Sequence, residues 1–222
     1  MPRPAACLFD LDGLLLDTEP LHARAWLEAT AAFGLHLQPD QLLALRGRRR
    51  LDCLGQVQQW LAEAGLAVPS SDDLLAVRQP IAEALLPSAR SMPGAPSLVG
   101  RCQQLGIAMA LVTSSSSEAV ALKAAPHPWL AAIRERVYGD DPDLAAGKPA
   151  PDPFRLAAQR LGVTPGRCWA FEDSPAGAHS AGSAGCQVVV LLPDQANLEQ
   201  RIRAQLPPGV LAVHHLDEVM LN

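Results

Sequence analysis

The chain has 222 residues, enough for one domain or for one domain carrying a sizeable insert. Nearly half of them (49%) are apolar, too many for a disordered polymer, and a net charge of −5 argues against a general binder of nucleic acid or anionic membrane. No apolar run approaches the roughly 20 residues of a membrane-spanning helix. Asp10 interrupts the first apolar stretch before it could form a signal-peptide core, so a cytoplasmic protein is expected.

Residues 5–11 form a short apolar run ending in Asp-x-Asp-Gly, which reads as a buried strand with carboxylates at its tip. The next seventy or so residues are helical in texture. Apolar residues recur at helical spacing over 21–33, 39–45, 50–64 and 71–85, punctuated by Gly34, Gly65 and Pro69. After a Pro-rich stretch the rhythm changes. Helices at 97–105, 116–124, 153–161 and 176–184 alternate with strands at 107–112, 137–138, 168–171 and 187–192. Such alternation predicts parallel strands joined by crossover helices, an α/β doubly wound sheet. Residues 1–16 and 88–222 would form that core, with 17–87 as an inserted helical domain hinged at 14–18 and 86–93.

The five cysteines are scattered and odd in number, as small buried hydrophobes of a reducing compartment would be. Basic residues are more informative, because sixteen are arginine and only two are lysine, Lys123 and Lys148. A lysine that survives such a bias hints that a compact ammonium is wanted there.

Open parallel sheets bind ligands beyond the carboxyl ends of their strands. Four polar clusters fall on those ends. Asp10-Leu11-Asp12-Gly13 places two carboxylates where they can converge on a cation, and Gly13 lets the chain turn away sharply. A like-charge pair at the end of so apolar a strand asks for a metal or a reaction. The hydroxyl run from Thr113 to Ser117 comes directly after the strand ending at Val112. Thr113 and Ser114 suit an anion, while Ser115 and Glu118 form a capping-box pattern for the next helix. In Gly147-Lys148-Pro149-Ala150-Pro151-Asp152 the prolines stiffen the loop and direct Lys148, whose charge would offset carboxylates and a phosphoryl group. Glu172-Asp173-Ser174 ends the apolar strand at 168–171 with two further candidate metal ligands. Asp72-Asp73 reads instead as the acidic start of a helix, and Asp140-Asp141-Pro142-Asp143 as an acidic turn.

Asp-Leu-Asp-Gly, strand-Thr-Ser, Lys-Pro-x-Pro-Asp and Glu-Asp-Ser, in this order over about residues 5–192, resemble the four motifs of the haloacid dehalogenase superfamily. More narrowly, the chain is similar to the β-phosphoglucomutase-like group of small phosphatases with a helical cap. The resemblance implies that Asp10 is a nucleophile forming an aspartyl-phosphate. Asp12 would serve the leaving oxygen as acid and then water as base. Mg²⁺ would lie between the Asp10 carboxylate, the Asp12 carbonyl and Asp173, with Glu172 beside them. Thr113, Ser114 and Lys148 would hold the phosphoryl oxygens. Phosphoryl transfer needs chiefly positioning and charge neutralisation, which a hard cation, carboxylates and one ammonium supply.

The helical insert would act as a mobile lid. On its first helix His22 and Trp26 share a face, either as a packing pair or with His22 touching the leaving group. The run from Arg46 to Arg50 is a solvated basic turn or a substrate contact. In similar mutases an arginine at the position of Arg50 contacts a second phosphate. The expected substrate is therefore a small phosphate ester, such as a sugar phosphate, with no nucleic acid or membrane partner and a monomer or weak dimer as the species.

Dehalogenation is disfavoured because related dehalogenases lack the second aspartate, here Asp12. Phosphonoacetaldehyde-type hydrolysis needs a lysine in the cap, and none precedes Lys123. A β-phosphoglucomutase-type phosphomutase is the enzymatic alternative, differing mainly in keeping water from the aspartyl-phosphate. Receiver-like regulators carry similar acids but are shorter and lack the insert.

Overall fold

The computed structural model describes residues 3–221. Among them, six short strands form one parallel sheet in the order β3-β2-β1-β4-β5-β6. They are β1 (Ala6–Phe9), β2 (Ala108–Val112), β3 (Glu135–Val137), β4 (Cys168–Glu172), β5 (Gln187–Leu191) and β6 (Leu211–Val213). The doubly wound α/β sheet expected from the alternating pattern is thus present.

A parallel sheet hides both faces, which is why its strands read as unbroken apolar runs rather than as alternating ones. In β1, Cys7 and Phe9 point into one core layer with Leu98, Val99 and Cys102 of α5 (Ala95–Gln104). Ala6 and Leu8 point into the other, against Phe154 and Ala157 of α7 (Asp152–Arg160) and Ala178 and Ala181 of α8 (Pro175–Ala184). Phe9 sits in register with Leu111 on one side and Phe171 on the other, and the two Phe rings stack with centroids 4.9 Å apart. Burying each such ring contributes about 1.5–3 kcal/mol. The strand order reverses at β1, with β2 and β3 on one side and β4, β5 and β6 on the other. That switch point opens a crevice at the carboxyl ends of the central strands.

Between β1 and α5 run four helices: α1 (Glu19–Ala31), α2 (Pro39–Leu45), α3 (Arg50–Glu63) and α4 (Ser71–Leu85). They share a hydrophobic cluster of their own, built from Trp26, Leu45, Leu54, Val57, Leu61 and Leu74. α4 opens on a capping box in which the Ser70 hydroxyl accepts from the Asp73 N–H and the Asp73 carboxylate accepts from the Ser70 N–H. The acidic pair therefore serves a helix start, as expected. The two connections to the sheet run side by side: the Asp17 N–H donates to the Arg90 carbonyl and the Met92 N–H to that of Leu15.

Element ends differ by a few residues from the sequence expectation. The third strand lies at Glu135–Val137 rather than 137–138. Two elements carry too little signal to be read. α9 (Ala196–Arg203) is polar except for Ala196, Leu198 and Ile202, and β6 is a three-residue edge strand. The helix ending at Ala124 is followed by a break at Pro126-His127-Pro128. Buried His127 faces the Ala89 carbonyl at 2.9 Å through Nε2 and the Ser91 hydroxyl at 3.2 Å through Nδ1, so it ties the returning connection to the core. No helix among the described residues is long and apolar enough to cross a membrane.

Candidate active site

Strand pairing delivers the first carboxylate. The Asp10 N–H continues the ladder to the Phe171 carbonyl at 3.0 Å, so the Asp10 side chain emerges, buried, just beyond β1. Lys148 reaches it from the Pro-braced loop. Its ammonium lies 2.6 Å from Asp10 Oδ1, 2.5 Å from Glu172 Oε1 and 2.9 Å from the Val112 carbonyl, and so joins the ends of β1, β2 and β4. The Lys148 side chain is fully buried. Burial alone would lower its pKa, but the two carboxylates outweigh that and hold it charged. Burial pushes Asp10 well above the usual carboxylate range, with Lys148 opposing and Glu172 and Asp173 adding to the rise.

Oxygens of Asp10, Glu172 and Asp173 lie within 4.8 Å of one another, all buried. Asp173 Oδ2 accepts two hydrogen bonds from Arg46, at 2.8 and 2.5 Å, whereas Asp173 Oδ1 is buried without a partner. A buried, unsatisfied oxygen on a carboxylate clustered with two others fits a hard, oxygen-seeking cation.

Asp12 belongs to a second cluster. Its carboxylate accepts from Thr18 Oγ1 at 2.6 Å, from Ser115 Oγ at 2.8 Å and from Lys123 Nζ at 2.6 and 2.7 Å. His22 Nε2 lies 3.2 Å away, while Arg78 donates to His22 Nδ1 at 3.2 Å. These partners place the His22 proton on Nε2, toward Asp12. Burial works to raise Asp12, but Lys123 and His22 outweigh it and hold the carboxyl well below its ordinary range. Burial likewise lowers His22, against the pull of Asp12.

The capping expectation for Ser115 needs correcting. α6 (Ser117–Ala124) is capped by Ser116, whose hydroxyl accepts from the Ala119 N–H. Ser115 is instead spent on Asp12 and Lys123. Thr113 is buried, with its hydroxyl accepting from the Ser115 N–H at 3.1 Å. The Ser114 hydroxyl donates to the Gly47 carbonyl at 2.8 Å.

That bond brings in the turn between α2 and α3. Gly47 has φ +74°, and a Cβ there would strike the Ser174 side chain, so the turn lies tight against the strand-end loops. Arg46 consequently reaches Asp173, and its guanidinium is 3.7 Å from Glu19, whose carboxyl burial pushes up to about 8. Arg50 bonds Gln79 at 2.7 Å on the wall of a cavity of about 200 Å³. The same cavity is lined by Asp10, Asp12, His22 and Trp26, and the guanidinium of Arg78 lies 4.5 Å from the centroid of the Trp26 ring.

Asp10, Asp12, Thr113, Lys148, Glu172, Asp173 and His22 thus meet at one crevice, with Arg50 further out on the cavity wall. Glu19, Thr18 and Arg78 carry no sequence signal that marks them for the site, and nothing in the sequence singles out Arg46 within the arginine run or Ser115 within the hydroxyl run. Lys123 announces itself only through the scarcity of lysine. The acidic turn acts structurally, Asp140 receiving the Ser117 N–H and Asp141 and Asp143 holding Arg160.

A parallel sheet with a Rossmann-type strand order carries buried acids and a buried lysine at its switch point, and sequence comparison names the family. Residues 4–185 match the haloacid dehalogenase-like hydrolase family model, and the chain belongs to that family. It is similar to fructose-1-phosphate phosphatase YqaB of Escherichia coli, with 35% identity covering 84% of this chain and 96% of that one. It is 31% identical to mitochondrial (DL)-glycerol-3-phosphatase 1 of Arabidopsis thaliana over 84% of its length, but spans only 63% of that relative. Among solved structures, CbbY of Rhodobacter sphaeroides in complex with xylulose-(1,5)bisphosphate superposes with a TM-score of 0.78 at 26% identity, covering 97% of this chain and 96% of that one. The chain is an enzyme of this hydrolase family, and both the Escherichia coli and the Arabidopsis relative are named as phosphatases.

Proposed function

We propose that the protein is a Mg²⁺-dependent phosphatase that hydrolyses a small phosphorylated metabolite, a sugar or polyol phosphate, through an aspartyl-phosphate on Asp10. The observation that carries this reading is the buried union of Asp10, Lys148, Glu172 and Asp173, with one oxygen of Asp173 left unsatisfied. Asp10, Glu172 and Asp173 would hold the cation. When bound, it would neutralise negative charge on the carboxylates and the phosphoryl group.

The remaining work falls to the chain itself. Asp10 attacks phosphorus, its orientation fixed by Lys148. Lys148 and the amides after Thr113 offset charge on the phosphoryl oxygens. Asp12 lines the same cavity and protonates the leaving oxygen, then takes a proton from the water that cleaves the acyl phosphate. Lys123 and His22 hold it ionised without substrate, the state the second task needs, so the first task requires that Asp12 take up a proton as substrate binds.

Helices α1 to α4, with the turn at Arg46–Gly47, close over the site as a cap spanning residues 17–87. The cavity of about 200 Å³ is smaller than the roughly 300–1,000 Å³ of pockets for drug-sized ligands, which favours a compact substrate. The phosphatases named among the relatives, for glycerol 3-phosphate and fructose 1-phosphate, agree with that size. Five free, buried cysteines suit a cytoplasmic setting. Release of phosphate from p-nitrophenyl phosphate should require Mg²⁺ and vanish with EDTA or Asp10→Asn. Activity surviving either treatment rejects the mechanism. Phosphate release across a panel of phosphorylated sugars and polyols then identifies the substrate, while conversion of β-glucose 1-phosphate to glucose 6-phosphate without phosphate release would mark a mutase instead.

A further inference from the structure

Lys123 takes no part in the chemistry above, yet its side chain is wholly buried at the last turn of α6. Taking an ammonium out of water is costly unless a partner charge and hydrogen bonds offset it. Here the offset is complete. The three ammonium protons meet Asp12 Oδ1 at 2.6 Å, Asp12 Oδ2 at 2.7 Å and Ser115 Oγ at 2.7 Å. Ser115 Oγ in turn donates to Asp12 Oδ2 at 2.8 Å, so lysine, serine and aspartate form a closed ring of contacts. Helical side chains lean toward the helix N-terminus, which lets a residue in the last turn of α6 reach back to the strand ends. Thr18, on the connection into the helices, and His22, on α1, hold the other side of the same carboxylate.

The chain therefore uses its two lysines in parallel. Lys148 fixes Asp10, and Lys123 fixes Asp12. We infer that Lys123 is a positioning residue for turnover. It locks the rotation of the Asp12 carboxylate, so that one oxygen is presented to the leaving group and later to water. Lys123 is not among the residues lining the cavity and acts only through Asp12. This inference rests on the role proposed for Asp12.

The test is a double-mutant cycle on p-nitrophenyl phosphate turnover with saturating Mg²⁺, using Lys123→Met, Asp12→Asn and the double variant. A displaced catalytic group costs on the order of a hundredfold. Lys123→Met should accordingly lower kcat by about 30- to 100-fold and leave KM within about twofold. Adding it to Asp12→Asn should cause no further loss. A merely structural lysine would shift the melting temperature but leave kcat of the folded fraction within about twofold, or would multiply the Asp12→Asn loss by the same factor; either result overturns the inference. If Lys123→Met does not fold, Lys123→Gln is measured in its place, and the comparison of the double variant with Asp12→Asn still decides. Should Asp12→Asn itself leave turnover intact, the role of Asp12 falls. If Asp12→Asn is crippled and the two losses multiply, only the part assigned to Lys123 falls.

Discussion

Replacing Lys148 by Met removes the only cation in hydrogen-bond contact with Asp10 and Glu172 among the described residues, while keeping side-chain volume against the Phe154 ring, 5.2 Å from the ammonium. The side chains of Asp10 and Glu172 are 4% and 0% exposed, so water cannot replace the lost partner. Breaking a buried pair from one side costs about 3–5 kcal/mol. For a chain of this size each kcal/mol lowers the melting temperature by about 2–4 °C, giving a fall of roughly 6–20 °C in EDTA. The pH dependence has the same geometric origin. Burial already raises Asp10 and Glu172, and Lys148 is what opposes the rise. Without it their folded-state values climb further above the unfolded ones, so the folded state retains protons that the unfolded chain releases. Such groups contribute full stability below the unfolded carboxylate range and lose it as pH rises through the folded value. The deficit of Lys148→Met against the parent protein should therefore grow between pH 5 and pH 8, at up to about 1.4 kcal/mol per pH unit for each carboxyl. Thermal melts followed by circular dichroism across that range provide the assay. A melting temperature within about 2 °C of the parent at pH 7.5, or a deficit that shrinks as pH rises, would refute the reasoning.

Gly177→Ala would push a Cβ into the Glu172 carboxylate, which Lys148 prevents from moving aside. Overpacking there should cost about 1–3 kcal/mol in a denaturant titration and depress phosphate release, and an unchanged protein would mean the carboxylate has room to shift. Arg160→Ala releases the acidic turn at Asp141 and Asp143 but touches nothing in the crevice. Its expected signature is a stability loss of about 1 kcal/mol or less with ordinary Mg²⁺-dependent turnover, whereas altered Mg²⁺ dependence would make the turn part of the metal site.

Strand-end chemistry is legible in the sequence because it obeys two local rules. Buried parallel strands are apolar throughout, and the residues just past their carboxyl ends are polar only for a reason. Asp10, Glu172 and Asp173 stand out against β1 and β4 on that ground, and Lys148 stands out by rarity and its prolines. Arg46 cannot be found this way. It sits in a run where each arginine looks like its neighbours, and only the left-handed turn at Gly47 and the bond from Ser114 select the one that enters the crevice. Ser115 misleads because a hydroxyl two residues before a helix fits a capping pattern as well as it fits a buried carboxylate. Thr18 shows the same competition in reverse, standing at the N-terminus of α1 without a capping bond because its hydroxyl goes to Asp12. α9 and β6 are silent for lack of a period, since two well-spaced apolar residues do not define a helix nor three residues a strand.

The most direct test of an aspartyl-phosphate mechanism is to quench the protein in acid during turnover of p-nitrophenyl phosphate with Mg²⁺ and map the phosphoryl group by peptide mass spectrometry. The added mass is expected on the peptide containing Asp10, lost in Asp10→Asn and discharged when turnover is allowed to finish. A phosphoryl group found on another residue, or full turnover by Asp10→Asn, would contradict the mechanism.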